Sequence, residues 1–371
     1  MIEPFLSLYS VQQLQQSVVF AGLLFTLFSV SSFVTVIPSG ILADRFGNRR
    51  FVVIGAGLTT VSFFIFVVTQ SPGLLLFARV LQGAAFGVVY PSLVSYITRM
   101  RLPGISSREV LSYTSTGFPI GGTVGNTLGG LVLAFGFATL FLLSAMLSFV
   151  GLVITVLVLA TRWEEKTSAS DIIPEADRLQ SASPRDATPR KLMSRDLAIM
   201  LFTRAAISYA QGIELAFLPL FAIKVLNYSP VEAGLIQASI AVFVVIGRPL
   251  SNPFALKYGE GNAAKVASSL ICFSTLLLAV SPFRELVWVA APFMGAGIGI
   301  FQPSVIMQIV KVVPDEKRTL GLGFLRMTTD AGMAIGAAAA GLIILYSGYP
   351  WAFGSALLVG LVGLAVQILR E

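Results

Sequence analysis

The chain has 371 residues, 56% of them hydrophobic and only 12% charged, which is too apolar for a soluble domain. Its formal charge of +7 sits in short loops between apolar runs, where it acts as a topology signal, so no nucleic-acid partner is expected. A single cysteine, Cys272, and the absence of histidine exclude an intramolecular disulfide and leave no transition-metal site or cofactor to expect.

Gly, Pro and charge clusters punctuate the chain into apolar runs at 17–43, 51–69, 74–98, 110–135, 137–160, 197–222, 231–256, 264–281, 285–311, 320–346 and 349–369. Each suits a hydrocarbon core roughly 30 Å thick, so the expectation is an all-α polytopic membrane protein with eleven complete spans in a lipid bilayer. Ahead of them, residues 1–10 supply only about 15 Å of helix, half a membrane.

Between the fifth and sixth runs lies "RWEEKTSASDIIPEADRLQSASPRDATPRKLMSRD", rich in Ser, Pro and both signs of charge. It cannot bury a core and reads as a flexible linker. The chain therefore divides into an N-terminal helix bundle (1–161), a linker (162–196) and a C-terminal helix bundle (197–371). Of the 25 Lys and Arg, nineteen lie on the linker side, two (Lys224 and Arg284) on the opposite side, and four within spans. That asymmetry places the linker and the C-terminus in the cytoplasm, with the protein in a prokaryotic plasma membrane as the expected setting.

The halves repeat each other. "GAAFGVVYPS" from Gly83 lies over "GAGIGIFQPS" from Gly295, an offset of 212, and Phe141 lies over Phe353 at the same offset. Gly121, Gly125 and Gly130 meet Gly332, Gly336 and Gly341 at 211. A spacing kept over most of the chain indicates duplication, the parallel kind of repeat that builds two-bundle transporters. At the start, "IEPFLSLY" from Ile2 matches "IELAFLPLF" from Ile213, inside a helix that begins near 197. The expectation is that the first part of helix 1 is missing and that the intact protein has twelve spans.

Charge is concentrated in "SGILADRFGNRR", Ser39 to Arg50, between the second and third helices. Gly40 and Gly47 suit a helix end and a tight turn, and Asp44 can meet the positive N-terminal end of another helix. Arg45, Arg49 and Arg50 reinforce orientation. At 212 the second half has "NPFALKYG", in which Leu256 replaces the acid and Lys257 the arginine. In helix 5, Gly121, Gly125 and Gly129 recur every four residues beside Asn126 and Gly130, a small face for close helix contact.

Charges within spans cost ~3 kcal/mol or more at the helix centre unless they face a partner or a wet cavity. Helix 7 carries Arg204, Ser208, Gln211 and Glu214 on one face, expected to line the interior. Helix 11 carries Arg326 and Asp330 at i, i+4, an internal ion pair, with Thr329 beside them. Helix 4 adds Arg79 and Gln82, helix 10 offers Gln302, and Glu3 stands as the repeat partner of Glu214.

"GILADRFGNRR" resembles the loop motif joining helices 2 and 3 in the major facilitator superfamily, and the resemblance covers essentially the whole chain. "RVLQG", Arg79 to Gly83, is similar to that family's helix 4 arginine motif. "GGTVGNTLGG" resembles the helix 5 pattern of drug/proton antiporters, with Asn126 where the pattern has proline. The resemblance implies the family's fold of two pseudo-symmetric six-helix bundles, a rocking mechanism, and a cytoplasmic gate in which Asp44 latches to helix 11 and releases when the protein turns inward.

No phosphate-binding loop for ATP is present, so energy comes from a gradient or from the solute. The reading favoured is a secondary transporter, not an enzyme, acting as a monomer and exporting a small, largely apolar organic solute by proton coupling. Asp330 and then Glu214 are the proton candidates, because coupling needs an acid whose protonation follows the side to which it is open. A static salt bridge is the plain alternative for Asp330. Uptake by symport or facilitated diffusion is the other transport reading, and a non-transporting sensor or defective truncated paralogue is the reading from another class.

Overall fold

A computed structural model describes residues 2–98, 107–161, 195–280, 283–313 and 318–369. Among the described residues twelve helices follow one another: α1 (Leu6–Gln12), preceded by a 3-10 turn at Glu3–Phe5, α2 (Val18–Phe46), α3 (Asn48–Val68), α4 (Pro72–Thr98), α5 (Ser107–Leu133), α6 (Phe137–Thr161), α7 (Arg195–Lys224), α8 (Pro230–Tyr258), α9 (Glu260–Val280), α10 (Leu286–Val312), α11 (Arg318–Ser347) and α12 (Tyr349–Ile368). Each run expected from 17 onward is a helix, with ends displaced by four residues at most. Ten are long and apolar enough to cross a membrane. The one expected span outside that set is α5, a helix of 27 residues whose apolar stretch among the described residues is Ile120–Leu133. Its polar half sits at the linker end. The linker itself falls almost wholly outside the described residues, as does Arg99.

The duplication is visible in the capping chemistry. Ser17 caps α2 by accepting from the Phe20 N–H, and 212 residues later Ser229 caps α8 by accepting from the Glu232 N–H. Gly47 and Gly259 end α2 and α8 with φ of +98° and +85°, and each donates its N–H to a carbonyl four residues back at 2.8 Å. A side chain there would be strained, so the sharp turn into the next helix requires glycine.

An aromatic cluster repeats as well. Tyr9 of α1 meets Phe137 and Phe141 of α6 with ring centroids 5.2 and 4.8 Å apart. Phe221 of α7 meets Tyr349 and Phe353 of α12 at 5.5 and 5.3 Å. The short α1 thus occupies the place that the last turns of α7 hold in the second half. Tyr9 also anchors the α3–α4 corner, donating to the Thr69 carbonyl at 2.8 Å.

Small residues set the packing within each half. Gly83 on α4 lies against the Phe28 carbonyl of α2, and its repeat mate Gly295 on α10 lies against the Ile240 carbonyl of α8. Between the halves, α2 crosses α11 and α5 crosses α8. Both crossings are tight on the side away from the linker. Gly22 rests on the Ala337 carbonyl, Gly341 rests on Val18 and Val19, and Gly130 of α5 meets Gly234 of α8 backbone to backbone. Thr26 donates to the Ala334 carbonyl at 3.1 Å. Toward the linker side, a Cβ added at Gly40, Gly121 or Gly323 would meet nothing within 4 Å among the described residues. Among the described residues, the tight glycine contacts between the bundles lie on the far side.

Candidate functional site: an arginine-rich cluster between the bundles

Three helices, α7, α8 and α11, bring charge to the mid-depth of the protein, where the described contacts of the tight α2–α11 crossing end. Asp330 of α11 is 2% exposed. Ser32 of α2 donates to its Oδ2 at 3.1 Å, while Arg326, one turn earlier, reaches Oδ2 through Nε at 3.2 Å and Oδ1 through Nη2 at 2.9 Å. The pair expected from i, i+4 spacing therefore forms, and its acid also bridges the two bundles. A fork-to-fork contact of this kind is among the stronger ones available to a carboxylate.

Arg204 of α7 stands on the other side of the acid. It is 6% exposed, donates through Nε to Thr329 Oγ1 at 2.8 Å, and lies over the Phe301 ring at 5.8 Å. Arg248 of α8 donates through Nη2 to Gln302 Oε1 at 3.1 Å. Phe86 and Tyr90 of α4 stack with centroids 5.9 Å apart, and the Arg326 guanidinium lies over them at 4.8 and 5.2 Å. Tyr90 is within electrostatic reach of Arg204 and Arg248. One acid, three guanidiniums and three aromatic rings thus converge from α2, α4, α7, α8, α10 and α11.

Two further polar groups lie apart from this cluster. Arg79 of α4 is fully buried, donating through Nε to the Leu24 carbonyl at 3.1 Å and through Nη1 to Gln82 at 2.6 Å, with Glu3 Oε1 at 3.8 Å. Phe25 and Phe28 cover it at 5.0 and 4.7 Å. Glu214 of α7, 6% exposed, accepts from Gln237 Nε2 of α8 at 3.0 Å, and no ion pair reaches it among the described residues. Glu3 and Glu214 therefore have different partners, although their sequences repeat.

Other expectations are redrawn. Ser208 does not line a cavity: it faces α11 at Gly332, where a Cβ would meet its own, because that crossing needs small residues. Gln211 is likewise buried. On α5, Gly130 makes a tight contact and a Cβ at Gly121 would meet nothing within 4 Å among the described residues; Gly129 is buried and Gly125 and Asn126 are half-buried. In the loop after α2, Gly40 makes no close approach. Arg45 and Arg50 are exposed, Arg49 is half-buried, and the Asp44 side chain lies outside those described.

Sequence reading overlooked Ser32, Phe86, Tyr90, Gln237 and Arg248 as partners in these sites. Arg248 carried a usable signal, a guanidinium inside an apolar run. Ser32 and Tyr90 carried none, since hydroxyls are common in spans and only the α2–α11 crossing and the reach of Arg326 toward α4 select these two.

The Major Facilitator Superfamily model matches residues 1–292 and 266–370. Multidrug resistance protein 2 of Bacillus subtilis (strain 168) is 23% identical over 350 residues, covering 92% of this chain and 84% of its own length. Quinolone resistance protein NorB of Staphylococcus aureus (strain MRSA252) is 23% identical over 355 residues, covering 83% and 76%. Among solved structures, a POT family transporter in complex with 5-aminolevulinic acid superimposes with a TM-score of 0.77 at 15% identity, over 100% of this chain and 91% of that one. The nucleoside transporter NupG gives 0.71 at 15% identity, over 99% and 93%. At such identity the likeness is one of fold. Matched along its whole length and folded as two copies of one helical repeat, the chain belongs to the major facilitator superfamily and is a multi-pass integral membrane protein.

Proposed function

We propose that the protein is a secondary transporter that exports a small organic solute by alternating access, driven by protons and acting as a monomer, with the linker side facing the cytoplasm. The observation that carries this reading is the place of Asp330. Among the described contacts its bond to Ser32 is the innermost of the α2–α11 crossing, so the acid sits at the inner end of the far-side closure. The groups facing it are Arg326 on its own helix, Arg204 from α7 and Ser32 from α2. A proton on Asp330 removes the charge that holds Arg326 and weakens the bridge from α2. The far-side gate and the protonation of one acid are then linked. Relatives bearing the names multidrug resistance protein and quinolone resistance protein support export as the direction.

The test uses inside-out membrane vesicles, a panel of labelled quinolones, dyes and aromatic acids, and an imposed pH gradient. Accumulation that collapses when the gradient is dissipated is expected for the unaltered protein. Asp330→Asn is expected to lose the gradient-driven component and retain solute exchange. Gradient-driven accumulation that survives in Asp330→Asn removes this acid from coupling, and flux indifferent to the gradient removes proton coupling altogether.

A further inference from the structure

Opening the far side takes a partner away from Asp330. Of its contacts, Ser32 belongs to the first bundle, whereas Arg326 stands on the acid's own helix. Separation of α2 from α11 strips Oδ2 of the serine hydroxyl and leaves a buried carboxylate one donor short, which is costly inside a membrane protein. Arg204 is placed to make good that loss. Its Nε donates at 2.8 Å to Oγ1 of Thr329, the residue just before the acid, and Thr329 in turn donates to the Leu325 carbonyl at 2.8 Å. Its Nη1 is buried and has no acceptor among the described residues. A buried donor left unmatched in one state has a reason to persist if another state of the working cycle uses it.

Arg204 and Asp330 also travel together. Within the second bundle α7 and α11 are locked, Gly332 resting on the Ala205 carbonyl and Gly212 on the Met333 carbonyl, so rocking of the first bundle leaves the arginine beside the acid. The groups facing Asp330 are Arg326 on α11, Arg204 from α7 and Ser32 from α2, while Tyr90 of α4 lies under Arg326 and within electrostatic reach of Arg204. We infer that Arg204 is the second seat of Asp330: when the far-side crossing opens, Nη1 takes the carboxylate oxygen that Ser32 gives up. This rests on the reading of Asp330 as the coupling acid and adds a positioning residue to it. Arg326 holds the acid in both states, so the exchange is a hydroxyl for a guanidinium, and the guanidinium holds an ionised carboxylate more strongly. Protonation weakens the Ser32 bridge of the closed crossing, but it takes the stronger contact from the open state. The ionised acid therefore favours the open far side, and a proton arriving there favours closure.

Thiol labelling of the full chain in detergent tests the inference. The reporter is Ala334→Cys in a Cys272→Ser chain, a far-side position of α11 that is buried in the closed crossing. Each rate is divided by that of the same chain carrying Asp330→Asn, which retains the pH dependence of the thiol alone. With Arg204 in place, the normalised rate is expected to rise at least fivefold as pH is raised through the titration of Asp330. Arg204→Gln is expected to abolish or reverse that rise, and to change nothing when Asp330→Asn is also present. Arg204→Lys, which keeps a cation but not the fork, is expected to restore part of it, and carries the same comparison if the Gln variant does not fold. A rise that survives Arg204→Gln, no rise in the chain with Arg204, or an effect of the arginine that persists with Asp330→Asn overturns the proposal. Labelling needs neither gradient nor solute, so an Arg204-dependent rise without gradient-driven flux would reject proton coupling alone. Gradient-driven flux that is lost in Asp330→Asn, together with an intact rise in Arg204→Gln, would reject the second seat alone.

Discussion

Arg79 shows how a single charge is held inside an apolar bundle. Its donors go to a backbone carbonyl and a glutamine in different directions, and two phenyl rings cover its faces. Only a planar fork of five donors can make both bonds and stack at once. Arg79→Leu leaves Gln82 and the Leu24 carbonyl without that donor, at a cost on the order of 2 kcal/mol. Arg79→Lys keeps the charge but cannot span both acceptors, so its loss is expected to be intermediate. Thermal unfolding midpoints in detergent are expected to fall in the order wild type, Lys, Leu. An unchanged midpoint for Leu would mean that the arginine is retained for transport and not for holding the bundle. The position of this guanidinium was legible in the sequence, because a charge within an apolar run demands a partner. Its partner Glu3 was not, since the 3-10 turn that brings residue 3 beside α4 has no periodic signature.

At the scale of helices, duplication was the strongest signal, and it was read from glycines and prolines at a fixed offset. The structure extends it to the serine caps, the positive-φ turns and the aromatic clusters, each 212 residues from its mate. These features share one cause: they fix the backbone path, which both halves must follow. The charged residues of the inter-bundle cluster do not repeat: Arg204, Arg326 and Asp330 have no charged mates in the first half. Helix crossings were harder to foresee. The four-residue glycine row in α5 predicted a contact face, and beside its last member Gly130 meets Gly234 of α8 backbone to backbone. At the partner crossing, α2 comes so close to α11 that a Cβ at Gly341 lies 3.2 Å from the Val19 Cα. That suits a disulfide, whose Cβ atoms sit roughly 3.5–4.5 Å apart. Val19→Cys with Gly341→Cys, on a chain carrying Cys272→Ser, is therefore expected to cross-link under mild oxidation and to stop transport until reduced. Transport that continues at full rate in the cross-linked protein would show that the far-side crossing need not open.

At the scale of the whole molecule, far-side contacts run along α2 from Val18 to Ser32 and along α11 from Gly341 back to Asp330, and the α5–α8 crossing at Gly130 closes the same side. The loop "SGILADRFGNRR" belongs to the opposite, linker side, where Arg45 and Arg50 face outward. The second half keeps the turn at Gly259 but places Leu256, strongly exposed, where the first half has Asp44. The acid is therefore dispensable for making the turn, which leaves docking when the linker side closes as the role proposed for it. A carboxylate against the start of a helix is worth about 0.3–1 kcal/mol when exposed and up to ~2 when partly buried, enough to move a balanced two-state equilibrium several-fold. Asp44→Asn is expected to leave insertion unchanged, since acids contribute little to topology. It is also expected to raise the population open to the linker side. A cysteine at Ile37 or at Ala334, introduced in the Cys272→Ser background, reports on the two sides in turn. Labelling at Ile37 is expected to increase and labelling at Ala334 to decrease in the Asp44→Asn chain. Equal labelling with and without the substitution would reduce the loop to an orientation signal, because a latch that holds one state must shift the balance when it is cut.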